Sequence, residues 1–380
     1  MADRNPRVLF VGRGRHRLPL AAWLAKKWDA IEELIDYRVL GSSEPGSETR
    51  SERFRLRGPE RPRALDGVLF YVRLPFRIRH QIDEFEPEVI VATDPLVGAA
   101  VLIGRRLARR KPPMIVEVHG DWRTFARLYG SPARRLVAPA TDRISTYVLR
   151  RADATRGLSA FTSSLIEDAR GEPATAMFPT YSDLSAFSAE PVKPLPGRPV
   201  ALFVGVLEAY KNIDGLAAAW RRVAATVPDA VLVIVGSGTR RQVVDDLLQD
   251  LPTQVEYHAQ LLPSEIAAKL DAAKLLVLPS WPEGLGRVII EAFARGRGVV
   301  ATGAGGVLDL VTSGVEGILI PPADTDALVS ELNRVLTDPD LAERLGAAAH
   351  ERYADWRATA EDFARQMRDL VDLTLARSDS

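Results

Sequence analysis

The sequence predicts an α/β protein: two doubly wound parallel sheets, in two domains that face each other across a central cleft. Three observations carry this. Short apolar runs that stop at Gly, Pro or Asp alternate with amphipathic stretches along nearly the whole chain. At 380 residues the chain is also longer than one hydrophobic core usually organises. Finally, the alternation restarts after "EPVKPLPGRP" at 190–199, whose four prolines forbid helix and discourage a central strand, and so mark a stiff linker. The implied domains are 1–189 and 200–356, followed by a helical tail.

The first half opens with "RVLFVG", an apolar run into glycine that reads as a first parallel strand. "LAAWLAKKWDAIEEL" has helical periodicity. Segment 41–63 is polar and rich in Gly, Pro and Arg, and reads as a long loop or short hairpin. "EVIVAT" (88–93) and "MIVEVHG" (114–120) are further strands. In the second half "VALFVG" (200–205) is a strand and "IDGLAAAWRRVAATV" an amphipathic helix. "AVLVIVGSG" runs from strand into a glycine turn, followed by the helix "TRRQVVDDLLQDL". "VEYHAQ" and the helix "SEIAAKLDAA" lead to "AAKLLVLPS", a buried strand ending at Pro279. "VIIEAFARG" is a helix closed by Gly296, "GVVAT" is the next strand, and 341–375 has a helical pattern.

Composition narrows the function. Apolar content of 46% and charged content of 26% are those of a soluble globular protein. Without cysteine there is no disulfide, thiolate metal site or cysteine nucleophile. The start lacks a signal-peptide pattern, and no apolar run approaches the roughly 20 residues of a membrane span, which together predict a cytoplasmic location. Zero net charge conceals an asymmetry, since residues 1–190 hold 31 Lys and Arg against 24 Asp and Glu. The excess gathers at 12–17, 53–63, 77–80 and 105–111. These arginines are either ordinary solvated surface or a basic face for anionic lipid or a phosphorylated acceptor. Aromatic residues do not interleave with them, which argues against nucleic acid.

Glycine pairs follow two strands, in "GRGRHR" and "GSGTRR", with arginine where a dinucleotide fingerprint needs its third glycine. NAD binding is not expected. Gly12, Gly14, Gly236 and Gly238 serve either turn geometry or close approach of a phosphate. Asp324 and Asp326 form an Asp-x-Asp but stand at the start of a helix, so one or the other reads as its N-cap rather than as a metal ligand. The five histidines show no metal-ligand spacing. His119 ends a buried strand, where it is either satisfied by backbone or turned to a ligand. "SWPEGLGRVIIEAFARG" places Glu283 in a tight loop and Glu291 on an apolar helix, where a carboxylate has to be paired or near a ligand. Fixed acceptors there suit a diol such as ribose, and the amides of "GLG" suit a diphosphate.

These residues carry a resemblance. "EGLGRVIIE" is similar to the Glu-x7-Glu signature of the retaining family 4 glycosyltransferases, which have the two-domain GT-B fold. "FVGVLEAYKNIDGL", "VIVGSG" and "GVVATGAGGVLDLV" resemble the segments around it in that family, and "VHGD", "RADATRGLS" and "YADW" resemble first-domain and tail features. The resemblance implies that a C-terminal helix, about 357–380, crosses back to the first domain. It implies that Glu291 bonds the ribose hydroxyls, that Glu283 lies against the donor sugar and that Lys211 neutralises the diphosphate. The amides of Gly284, Leu285 and Gly286 would face sugar and phosphate, with Gly236 nearby. His119 would reach the hexose, and Gly14 would approach the phosphates. Val206 stands where many relatives have arginine, so the clamp rests on Lys211 alone or borrows Arg287.

The expected protein is therefore a retaining, metal-independent glycosyltransferase without a cofactor. Its donor would be a nucleotide-diphosphate sugar and its acceptor a glycan or lipid-linked hydroxyl, with peripheral association at the inner face of the plasma membrane. The alternatives are a nucleotide-sugar epimerase of the same fold and a non-catalytic nucleotide-sugar-binding subunit.

Overall fold

The computed structural model describes residues 4–59, 63–124 and 132–378. Contacts divide the chain into two compact units, the first ending at Asp183 and regaining the C-terminal segment from Ala358, the second spanning Leu184–Arg357.

In the first unit seven strands pair in parallel in the order β3-β2-β1-β4-β5-β6-β7. They are β1 (Arg7–His16), β2 (Asp36–Ser43), β3 (Phe54–Arg57), β4 (Val89–Ala92), β5 (Met114–Val118), β6 (Ala154–Gly157) and β7 (Ala176–Met177). The chain adds β2 and β3 on one side of β1, then returns to add β4 on the other. This reversal creates a switch point between β1 and β4, beyond whose carboxyl ends open sheets bind ligands. One sheet face packs Val8, Phe10, Val89, Val91 and Ile115 beneath Trp28, Ile31, Phe363 and Met367. The other packs Leu9, Val11, Ile90 and Val116 beneath Leu74, Ile78, Val97 and Val148. The helix Ala360–Ser378 thus completes the first unit, with its Arg368 donating to the Leu34 carbonyl at 2.8 Å.

The structure refines two expectations for this unit. Segment 41–63 is not a plain loop: it holds a short hairpin closed by the antiparallel bridge between Arg50 and Arg55, β2 continues to Ser43, and Phe54–Arg57 forms a parallel edge strand on it. Alternation in "FRLR" turns Phe54 and Leu56 into the core. Positions 60–62 of the same arginine cluster lie outside the described residues. Nor does β1 end in a glycine turn. It runs on through Gly12 and Gly14 because Arg15 and His16 pair with Ser42 and Ser43 after a register shift.

The second unit repeats the plan with six parallel strands in the order β10-β9-β8-β11-β12-β13. They are β8 (Val200–Val204), β9 (Val231–Val235), β10 (Val255–His258), β11 (Leu275–Leu278), β12 (Gly298–Thr302) and β13 (Gly317–Ile320). β9, β11 and β12 are buried throughout, as continuous apolar runs covered on both faces should be. The switch point lies between β8 and β11.

Residues 187–194 lie along this unit, held by two arginines that are each 1% exposed. Arg295 donates to the carbonyls of Phe187, Glu190 and Pro191 and to both oxygens of Asp271. Arg297 donates to the carbonyls of Lys193, Pro194, Leu270 and Asp271.

Candidate active site

The loops leaving β8 and β11 meet at the second switch point. Beyond β8 the chain makes a short 3-10 turn, Ala209–Lys211, which ends at Asn212 in the left-handed region (φ 53°). The turn directs Lys211 inward, where it is 8% exposed. Its ammonium donates to Oε1 of Glu283 and lies 5.2 Å from the centre of the Tyr210 ring. Ser280, fully buried at the end of the β11 run, donates to the same Glu283 oxygen at 2.6 Å. The Trp281 amide donates to the Tyr210 carbonyl at 3.0 Å, joining the two loops through backbone as well.

Glycines let further loops close on this pair. A Cβ at Gly236 (φ 148°) would overlap the Gly205 carbonyl oxygen. Its conformational freedom therefore serves close contact between the loops after β8 and β9. Gly305 (φ 66°) and Gly306, after β12, press in the same way on the carbonyls of Glu283 and Gly284, and the Gly306 amide donates to Glu283 at 2.8 Å. The loop that carries Glu283 is thus held from two neighbouring strand ends, those of β8 and β12.

Gly286 (φ 83°) caps the helix Arg287–Ala294 in the left-handed conformation. Glu291 is the fifth residue of that helix, 5% exposed among Ile289, Ile290, Ala292 and Phe293. Arg287, one turn earlier and largely exposed, donates from Nε to Glu291 Oε1 at 3.0 Å. Burial pushes the Glu291 carboxyl above its ordinary range, and Arg287 offsets only part of this. Such a group costs the fold most above its folded pKa, where it is ionised, and least below the ordinary Glu value of 4.5. Glu291→Gln should therefore raise the melting temperature near pH 8 and change it little near pH 4, as read by calorimetry at the two pH values. An unchanged difference between wild type and variant across that range would contradict the assignment.

In the first unit His119 follows β5 at the carboxyl edge of the sheet, its side chain 42% exposed and 3.0 Å from Glu117. Gly14 lies within β1, and the Cβ that it lacks would sit 3.7 Å from the His16 ring. Asp324 caps the helix Thr325–Thr337 by accepting from the Ala327 amide at 2.8 Å, as read from the sequence.

The structure thus brings together Lys211 and Glu283, which had been assigned to different parts of the donor. It pairs Arg287 with Glu291. Sequence reasoning missed Ser280, Gly305 and Gly306 around Glu283, and Glu117 behind His119. The spacing Glu117-x-His119 on a strand was a usable signal, because it puts both side chains on one face. For Ser280 there was none.

Two doubly wound parallel units, the second with a lysine–glutamate pair and glycine-lined loops at its switch point, define the GT-B class of glycosyltransferase fold. Residues 188–352 match the family of glycosyl transferases group 1, and residues 12–180 match the glycosyl transferase 4-like domain; together they place the chain among the GT-B glycosyltransferases. It is 32% identical over 178 residues to the glycogen synthase of Mycobacterium tuberculosis, a match covering 46% of this chain and 43% of that protein. To the sulfoquinovosyl transferase of Arabidopsis thaliana it is 26% identical over 316 residues, covering 76% of this chain and 59% of the relative. The chain thus spans about half the length of these relatives. Among solved structures, sucrose-phosphate synthase of Thermosynechococcus elongatus superposes with a TM-score of 0.76 at 21% identity, covering 98% of this chain and 100% of that one. Anabaena HepE, solved with UDP-glucose, gives 0.68 at 18% identity, covering 97% and 99%.

Proposed function

We propose that this protein is a retaining hexosyltransferase that moves a sugar from a nucleotide diphosphate to a hydroxyl acceptor, with no divalent metal in the step. The observation that carries the reading is the buried Lys211–Glu283 pair at the switch point of the second sheet. An ammonium there has one fixed counterion until a ligand arrives, and a diphosphate is the ligand that can compete for it. Glu291, buried on the neighbouring helix, supplies acceptors for the ribose diol. In the reaction the bond from the sugar C1 to the diphosphate oxygen breaks as the acceptor oxygen bonds to C1 on the same face. The acceptor proton passes to the leaving phosphate, and Lys211 with nearby amides stabilises the charge that develops there. UDP-glucose in the HepE structure favours a UDP-sugar donor.

Two substitutions separate the roles. Glu291→Ala should weaken binding of the product nucleotide by about 1.5–3 kcal/mol, the range for hydrogen bonds to a charged group. Glu283→Ala removes the counterion of Lys211, so affinity for the nucleotide diphosphate should be kept or improved while turnover falls. Calorimetry with UDP and GDP beside steady-state rates tests both. Equal loss of nucleotide affinity in the two variants sinks the assignment. Release of nucleotide diphosphate only when acceptor is added distinguishes a transferase from an epimerase or a silent binding subunit.

We further propose that the acceptor is a glycolipid or growing surface glycan met at an anionic bilayer. The helix Arg63–Phe85 exposes Val68, Val72 and Phe76 at successive i, i+4 positions, with Arg73 and Arg79 exposed beside them. The helix packed against it, Pro95–Leu107, exposes Ile103 and Leu107 together with Arg106. Apolar side chains among arginines match the boundary between acyl chains and anionic headgroups, at about 1 kcal/mol per basic residue. Among the described residues no helix is long and apolar enough to cross a membrane. Vesicles containing phosphatidylglycerol should float the protein at low salt, and Phe76→Asp should abolish flotation. Absence of binding by the wild type at low salt would return the arginines to ordinary surface.

A further inference from the structure

Behind His119 lies a buried charged network that the proposed reaction leaves unused. Glu117 and Arg156 stand directly opposite each other in the parallel pairing of β5 and β6, 5% and 1% exposed. The Arg156 guanidinium donates from one terminal nitrogen to Glu117 Oε1. Its Nε donates to the Phe178 carbonyl at 3.2 Å, and its other terminal nitrogen to Thr180 Oγ1 at 3.1 Å. The rings of Phe178 and Phe363 cover it at 4.2 and 5.2 Å. The second oxygen of Glu117 is left for His119 Nε2, at 3.0 Å. A buried ion pair is weak evidence of stability, since an apolar pair of similar volume often serves as well. Its position beneath a half-exposed histidine at the sheet's carboxyl edge points to another use.

We infer that Glu117, held ionised by Arg156, is a positioning residue that fixes His119 as the tautomer protonated on Nε2 and turns its bare Nδ1 toward a sugar hydroxyl. An ionised carboxylate can only accept, so the hydrogen between Glu117 and His119 has to belong to the imidazole. Burial drives the Glu117 carboxyl up, but the opposing pull of Arg156, with His119 and Lys27, brings it below the usual carboxylate range. Asp94, beyond β4, is a further charged group that interacts with His119. With Nε2 committed to Glu117, Nδ1 is an acceptor, and the hydroxyl it meets has to donate. The inference rests on the reading of His119 as a contact to the transferred sugar. It adds what sets the direction of that contact.

The test is nitrogen-15 spectroscopy of histidine-labelled full-length protein near pH 8, with the His119 signal assigned through His119→Ala. The wild type should show a protonated Nε2 and a bare Nδ1. In the double variant Glu117→Gln/Arg156→Gln, which removes both buried charges together, this preference should be lost. kcat/KM should fall roughly 3- to 10-fold, the worth of one net hydrogen bond. With His119→Ala already present, the double substitution should cost no further activity, because its effect acts through the imidazole. A wild-type signal protonated on Nδ1 overturns the inference, even if the double variant does not fold. So do an unchanged tautomer in the folded variant and losses that multiply with that of His119→Ala. If the wild type shows the Nε2 tautomer yet transfers no sugar from any nucleotide donor, the proposed function fails while the orienting contact stands.

Discussion

Lys211→Ala should lower turnover by about 10²–10³-fold, the effect of removing one preorganised donor from a developing oxyanion. The same substitution should weaken nucleotide-diphosphate binding, because Lys211 is the buried cation at the switch point of the second sheet. Lys211→Arg should recover little. The ammonium sits in a turn only three residues long, against Tyr210 and Glu283, and a planar guanidinium has different reach and geometry. Steady-state rates and calorimetry with the nucleotide diphosphate provide the measurement, with exhaustive chelation of the wild type beside them. If Lys211 supplies the positive charge, chelation should leave wild-type turnover intact. Turnover abolished by chelation and restored by Mn²⁺ or Mg²⁺ would transfer the charge-stabilising role to a metal. An Ala variant that binds and turns over normally would remove Lys211 from the mechanism.

Arg295→Ala should destabilise the second unit by about 3–5 kcal/mol, the usual cost of deleting one member of a buried charged pair. Asp271 would lose the guanidinium that both its oxygens accept from, and the carbonyls of Phe187, Glu190 and Pro191 would lose a donor. Arg295→Lys should not restore stability, since one ammonium cannot reach four acceptor groups laid around a planar fork. Denaturant unfolding followed by fluorescence of Trp220, buried in the core of this unit, gives the free energy. Limited proteolysis within 187–195 should quicken in parallel. A variant that unfolds at the wild-type midpoint would show that the arginine merely fills space.

Much of the fold was legible because its signals are local. Buried parallel strands are short apolar runs, such as "LLVL" and "GVVAT", and their limits are set by glycine and proline nearby in sequence. Gly286 is legible only as one of the amides of "GLG"; its left-handed backbone angle at the helix start, which glycine readily adopts, is set by the fold. β3 was missed for a related reason: an edge strand of four residues that alternates apolar and arginine resembles a polar loop until a neighbour pairs with it. A glycine after an apolar run usually ends a strand, yet pairing with β2 carries β1 through Gly14 to His16.

By itself the sequence determined two α/β units, the segment between them, and the residue types that gather around Glu283 and Glu291. Which of those residues touch was decided by the tertiary structure. Lys211 and Glu283 are 72 positions apart, and Glu117 and Arg156 are 39 apart. Both pairs meet because strand order makes β8 the neighbour of β11 and β5 the neighbour of β6. That order follows from how helices cover two sheet faces at once, a property of the assembled core. Ionic partners are chosen after it, among whatever side chains the paired strands bring to one edge. A one-dimensional pattern records which side chains are turned inward; it does not record what stands opposite them.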